Sequence, residues 1–181
     1  MLQLPIHPLT SFVLVRPHYP ENVGAAARAM KTMGFTRLVL VKPGKMAEPS
    51  HVMAVKMAVK SLDVLQSAPV VPSVQEALEG VMYTYATTAR RGVSGVLSAR
   101  RAARDAVERA ARGEQIAFVF GNEKTGLEED VVGAQARVRI PMVADQPSIN
   151  LGQAVQLMAY ELFVAALEAR EPGEPEGHVE P

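Results

Sequence analysis

The chain of 181 residues contains no cysteine and no tryptophan. Without thiols it forms no disulfide, binds no metal through thiolate and has no cysteine nucleophile, and it does not depend on an oxidising compartment. Its four histidines, His7, His18, His51 and His178, are scattered without metal-ligand spacing, so no metal is expected. No GxGxxG follows the first strand-like run and no GxxxxGK[ST] occurs, which removes the dinucleotide and P-loop signatures. No GxSxG elbow is present. Met1–Thr10 lacks the basic and long apolar regions of a signal peptide. No stretch approaches the roughly 18 uninterrupted apolar residues of a membrane span. A cytoplasmic protein with no membrane partner is expected.

Net charge is also lacking, with 19 basic and 19 acidic residues. Its distribution is less neutral. Residues 171–181 carry Glu171, Glu174, Glu176 and Glu180 and no Lys or Arg, and without these four acids 19 basic residues face 15 acidic ones. Between Ala86 and Arg112 lie Arg90, Arg91, Arg100, Arg101, Arg104, Arg109 and Arg112, against Asp105 and Glu108. Charge alone leaves two readings open: a basic field for phosphates, or a solvated helix face with Arg–Glu pairs.

The length fits one domain, and 48% hydrophobic with 21% charged residues is an ordinary globular balance. Five runs read as strands buried on both faces: Phe12–Arg16, Arg37–Lys42, Val81–Thr87, Ile116–Phe120 and Arg137–Ile140. Helical patterns separate them. Glu21–Met33 puts Val23, Ala26, Ala27 and Met30 on one stripe and stops at Gly34. The Pro49–Leu65 stretch starts as a helix. Ser73 caps a short helix, and Ser98 caps a longer one with alanines along one face. A last helix runs from about Asn150 to Arg170. Strands alternating with helices indicate an α/β fold around a mainly parallel sheet, helices on both faces, spanning residues 1–170. The Glu-, Pro- and Gly-rich tail 171–181 reads as disordered.

Three segments just past strand ends carry the chemical interest, because ligands bind at that edge of open α/β sheets. In Pro17–Arg28, Asn22 and Gly24 occupy a first helical turn, where free N–H groups point outward, and Arg28 lies off the apolar stripe. In Val119–Leu127 a strand ends at Gly121, which would let a ligand approach the backbone, and Glu123 offers an acceptor. In Arg139–Val155 a strand ends near Ile140 and Pro141, a loop carries Ser148, and Asn150 starts a helix. Taken singly these are also a surface arginine, a strand-to-helix turn with an acid favoured by the helix dipole, and an N-cap.

Taken together, in this order, they resemble the three motifs of the TrmH-like branch of the SPOUT methyltransferases. N-x-G-x-x-x-R is matched by Asn22, Gly24 and Arg28. F-G-[RN]-E-x-x-G-L is matched by Phe120–Leu127, and I-P…S-[LIM]-N-L-x-x-A-V by Ile140–Val155. The stretch ENVGAAARAMKTMGFTRLVLVKP and the later YATTARRG are most similar to the TrmJ group. Asn122 stands where that group usually has Arg, Ile149 and Gly152 replace the commoner Leu and Ser, and the chain ends at Pro181 without the group's C-terminal extension.

The resemblance implies an α/β fold with a C-terminal deep trefoil knot and an S-adenosylmethionine-dependent RNA ribose 2′-O-methyltransferase. tRNA is the first expected substrate. The alternatives are rRNA, or a knotted RNA-binding protein without catalysis. By position, the cofactor site would use Thr87, Thr88, Ala89, Gly121, Ile140, Pro147, Ser148 and Ile149. Arg28 would be the catalytic arginine, with Asn22, Glu123, Ser148 and Asn150 shaping the site and holding it. Arg90, Arg91, Arg101 and Arg104 are the expected RNA contacts. A homodimer is implied, with the last helix, including Tyr160, and the first helix as interface and each active site completed by the partner; on the last helix Tyr160, Phe163 and Leu167 supply more apolar surface than one inward stripe needs.

Overall fold

A computed structural model describes residues 2–90, 92–127, 133–143 and 148–170. Arg91, Pro147 and the tail 171–181 therefore lie outside the described residues. Seven strands form one sheet: β1 Thr10–Val15, β2 Arg37–Val41, β3 Val70–Val71, β4 Tyr83–Thr87, β5 Val96–Ser98, β6 Ile116–Phe120 and β7 Ala136–Arg139. Their order across it is β3-β2-β1-β6-β4-β7-β5, and every pairing is parallel. The five expected strands are present. The two unforeseen ones, β3 and β5, are the outermost. At two and three residues they are too short to show a period, and only pairing with a neighbour makes them strands.

The described helices are α1 Ile6–Leu9, α2 Pro20–Thr32, α3 Val52–Met57, α4 Leu62–Ser67, α5 Val74–Ala77, α6 Ala99–Ala111 and α7 Leu151–Glu168. None is long and apolar enough to cross a membrane. Three caps form where the sequence places them. Ser73 Oγ accepts from the Glu76 N–H, Ser98 Oγ from Arg101 N–H and Asn150 Oδ1 from Gln153 N–H. The stretch 49–65 divides into α3 and α4, with Lys60 between them at φ +55°.

Alternation along the strands separates two cores. Phe12, Leu14, Leu38, Leu40, Tyr85, Phe118 and Phe120 face α2, α6 and α7, which bring Met30, Ala102, Ala106 and Met158. On the opposite face Val13, Val15, Val41, Ala117 and Val119 meet Val74 and Ala77 of α5. Helices thus cover both faces, but unequally. The rings sit on the helix-rich side, where Tyr85 stacks on Phe118 at 4.5 Å. α1 was not foreseen. It buries His7, whose Nδ1 accepts from the Leu4 N–H while Nε2 donates to the Met33 carbonyl at 2.9 Å. His7 is therefore a neutral structural histidine joining α1 to the end of α2. Its desolvation lowers its pKa, against the opposing pull of the Met33 bond.

Parallel strands send all their C-terminal ends to one edge. The loops after β1, β6, β4 and β7 meet there, and those after β1, β6 and β7 hold the three sequence segments.

Candidate active site

Asn122 shapes the loop after β6. Its Oδ1 accepts from the N–H groups of Lys124 and Thr125, and its backbone bridges to Gly126 in both directions. Its Nδ2 donates to the Arg16 carbonyl at 2.7 Å, tying this loop to the end of β1. A Cβ on Gly121 would lie 2.3 Å from the Gly126 carbonyl carbon. The glycine is thus needed because the loop folds onto itself, a reason that the expectation of ligand approach does not include.

Glu123 is the hub. Its carboxylate accepts from the N–H of His18 at 2.8 Å, the N–H of Tyr19 at 2.9 Å and Asn22 Nδ2 at 3.0 Å. Burial alone would raise its pKa, but the three donors outweigh burial and hold the carboxyl below its ordinary range. Asn22 is buried, and its Oδ1 accepts from Asn150 Nδ2 at 3.1 Å. One chain of hydrogen bonds, Glu123–Asn22–Asn150, therefore joins segments more than 100 residues apart. These side chains bind one another. Among the described residues none of them bonds Arg28, contrary to the expectation that they hold it.

Arg28 is exposed, six residues or about 9 Å along α2 from Asn22. Its carbonyl accepts from Thr32 Oγ1, and its guanidinium has no partner among the described residues. Gly24, the middle residue of the first motif, does not offer its N–H to a ligand face. It is buried, and a Cβ there would come 2.1 Å from the Ala54 carbonyl oxygen of α3.

Beside this network lies a cavity of about 490 Å³, within the usual range of small-molecule sites. Thr87, Thr88, Ala89, Gly121, Ile140, Ser148 and Ile149 all line it, as do Glu123 and Arg90. The Thr87 hydroxyl donates to the Val119 carbonyl, and the Thr88 N–H to the Val138 carbonyl. Both groups stitch β4 to its neighbours. Arg139 adds a clamp from its Nη2 to the Arg90 carbonyl. The walls are apolar at Phe120, Leu127, Val138, Ile149 and Leu151 and cationic at Lys124 and Arg137. Lys124 and Arg137 were not singled out from sequence. Arg137 alternates with buried Val138 in β7, and reading that strand as apolar on both faces hid it.

The arginine-rich helix α6 is largely engaged internally. Arg100 pairs with Glu161 at 3.2 Å, Arg104 with Glu168 at 3.9 Å, and Arg109 with Asp105 at 2.9 Å. Arg109 and Arg112 share Glu114, and Arg109 also covers the Tyr83 ring. Arg101 is exposed, with no acidic partner among the described residues. Arg100, Arg104 and Arg112 nevertheless keep more than half of their side chains exposed, so ion pairing and an outward basic surface coexist on this helix. On α7, Leu157 and Tyr160 are 42% and 51% exposed, whereas Phe163 and Leu167 pack partly against the core. Leu157 and Tyr160 are thus the most exposed large apolar residues of this helix.

Comparison with known proteins places this geometry. The family described as SpoU rRNA Methylase matches residues 10–160. The tRNA (cytidine/uridine/adenosine-2′-O-)-methyltransferase TrmJ of Pseudomonas aeruginosa is 39% identical, covering 87% of this chain and 62% of that protein. The Escherichia coli protein named uncharacterized tRNA/rRNA methyltransferase LasT is also 39% identical, covering 84% and 67%. The chain thus spans about two thirds of the length of these relatives. Among solved structures, a probable methyltransferase from Bordetella pertussis superposes with a TM-score of 0.83 at 35% identity, covering 90% of this chain and 98% of that one. TrmJ from Z. mobilis gives 0.77 at 37% identity, covering 92% and 72%.

Proposed function

The chain belongs to the SpoU rRNA methylase family, and on that footing we propose that it is an S-adenosylmethionine-dependent RNA ribose 2′-O-methyltransferase acting on tRNA. The observation that carries this reading is a cavity lined by the second and third segments, to which the Glu123–Asn22–Asn150 hydrogen bonds tie the first. The names of the TrmJ relatives support tRNA as substrate. The family's description and the name of LasT favour rRNA as the second reading.

The cavity fits the cofactor. Its apolar walls suit an adenine ring, and its cationic side at Lys124 and Arg137 suits a carboxylate. Thr87, Thr88, Ala89, Gly121, Ile140, Ser148 and Ile149 would hold it, together with Pro147 outside the described residues. When bound, S-adenosylmethionine supplies an electrophilic methyl group. Arg28 grips the phosphate–ribose unit of the RNA and offsets negative charge developing on the 2′-oxygen. A guanidinium is a poor base, so its part is electrostatic. The hydrogen-bonded asparagines and Glu123 fix the start of α2 and thereby the position of Arg28.

The knot implied by the resemblance is part of this proposal, since its loop includes residues 144–147, outside the described residues. So is a cytoplasmic homodimer joined through Leu157 and Tyr160 of α7, whose exposed apolar surface supports it. The decisive experiment incubates the protein with labelled S-adenosylmethionine and, separately, unmodified tRNA and rRNA, then identifies nucleosides by mass spectrometry. Label in 2′-O-methyl nucleosides of tRNA is the expected result. Label only in rRNA selects the second reading, and no label in either overturns both.

A further inference from the structure

We propose that the loops following β2, β1 and β6 form the bed for the target RNA strand, with the Tyr19 ring as a platform on which one unpaired base stacks. The proposal rests on the reading of the chain as an RNA methyltransferase and assigns the substrate subsite that reading leaves open.

Tyr19 is 42% exposed, whereas all five phenylalanines and Tyr85 are buried or packed against the core. An exposed ring on a loose loop would need no explanation. The Tyr19 backbone is anything but loose. Its N–H and that of His18 both donate to the Glu123 carboxylate, and its carbonyl accepts from the Asn22 N–H as α2 begins. The His18 ring meets it edge-on at 4.7 Å. The ring is therefore presented to solvent on a fixed base, and a partner stacking there needs little further ordering of the protein.

Cations surround it. Lys124 Nζ lies 5.6 Å from the Tyr19 ring centroid. On the other side, the loop carrying exposed Lys42 and Lys45 is tied to the Tyr19 loop by the Gly44 N–H donating to the Pro17 carbonyl at 2.9 Å. Adjacent strands β2, β1 and β6 thus place Lys42, Lys45, Tyr19 and Lys124 on neighbouring loops of one edge. Among the described residues of these segments the acids are Glu21, Glu48 and Glu123, the last with its carboxylate occupied by three donors, while Glu128, Glu129 and Asp130 of the β6 loop lie outside the described residues. An aromatic face flanked by ammonium groups binds single-stranded nucleic acid, the ring stacking a base and here Lys42 and Lys45 meeting phosphates. The platform adjoins the cavity, which Glu123 and Lys124 also line, and directly precedes the helix bearing Arg28.

The test titrates unfractionated tRNA and rRNA into the parent, Tyr19→Ala, Tyr19→Phe and the double variant Lys42→Gln/Lys45→Gln at several salt concentrations, with S-adenosylmethionine titrated in parallel. Tyr19→Ala is expected to bind RNA at least about fivefold more weakly, as for the loss of one stacked base, while Tyr19→Phe binds as the parent does. The double variant is expected to flatten the salt dependence by about 0.7–0.9 in log–log slope for each phosphate no longer neutralised. Unchanged cofactor affinity throughout shows that the fold is intact, because none of these three residues lines the cavity. Parent-like RNA binding by Tyr19→Ala, or equal weakening in Tyr19→Phe, overturns the platform alone. A parent protein that binds neither RNA overturns the platform and the functional reading together.

Discussion

Arg28 and Glu123 act in different ways although both belong to the same motif set. Glu123 gives its carboxylate to internal donors, so its effect is to place other atoms. Arg28 is exposed, and in the proposed mechanism its guanidinium meets a substrate phosphate. The variant Arg28→Ala is therefore expected to change stability by only about 0.5 kcal/mol or less, as at surface sites. S-adenosylmethionine affinity should persist, because Arg28 does not line the cavity. The single-turnover methylation rate should fall by about two orders of magnitude or more, the scale of losing a positioned electrostatic group. Arg28→Lys should recover little, lacking the planar fork. Near-parent turnover by Arg28→Ala would remove it from catalysis.

Among the elements, α2 carries both Asn22 and Arg28, the first buried and the second exposed, and packs closely on α3. The contact with α3 depends on a missing side chain: a Cβ at Gly24 would sit 2.1 Å from the Ala54 carbonyl oxygen and 2.9 Å from Met57 Cβ. Both helices must shift to admit it. Gly24→Ala is accordingly expected to destabilise the fold by about 1–3 kcal/mol, the range for overpacking, despite the higher helix propensity of alanine. Urea unfolding measures this, and a stabilised variant would show that α3 yields without cost. Gly24 also marks the limit of motif reading. The sequence identifies the glycine, but its partner in α3 comes from a stretch whose helical pattern breaks at Lys60.

For the whole molecule, pH couples to two of these bonds. His7 is lowered by burial, and Glu123 is lowered because its donors outweigh burial. In each case the folded state resists protonation more than the unfolded chain does, so stability rises with pH. The His7 contribution is present above its ordinary value of 6.5 and is lost as pH falls below it. The Glu123 contribution is lost further down, as pH falls below 4.5. Unfolding free energies between pH 8 and 4 should show the first decline in the parent and a smaller one in His7→Gln. Identical profiles for the two would exclude His7 as its source. Assembly is the other molecular-scale expectation. Light scattering should find a dimer at micromolar concentration, and Leu157→Asp with Tyr160→Asp should yield monomers. A monomeric parent would remove the α7 interface and the partner-completed site.

The central strands, the three capped helices and the three motif segments are determined by local sequence, because buried parallel strands need continuous apolar runs and caps need Ser or Asn at one position. The family resemblance likewise rests on residues readable in order. Pairing and packing decided the rest. β3 and β5 exist only as partners of β2 and β7, and Gly24 and Gly121 answer to atoms of other segments. The arginines of α6 meet acids supplied by α7 and by the turn before β6. Tyr19 becomes a fixed platform only because Glu123, 104 residues away, takes its N–H. Such contacts leave no periodic trace in the chain, since they join positions whose separation in sequence is unrelated to their distance in space.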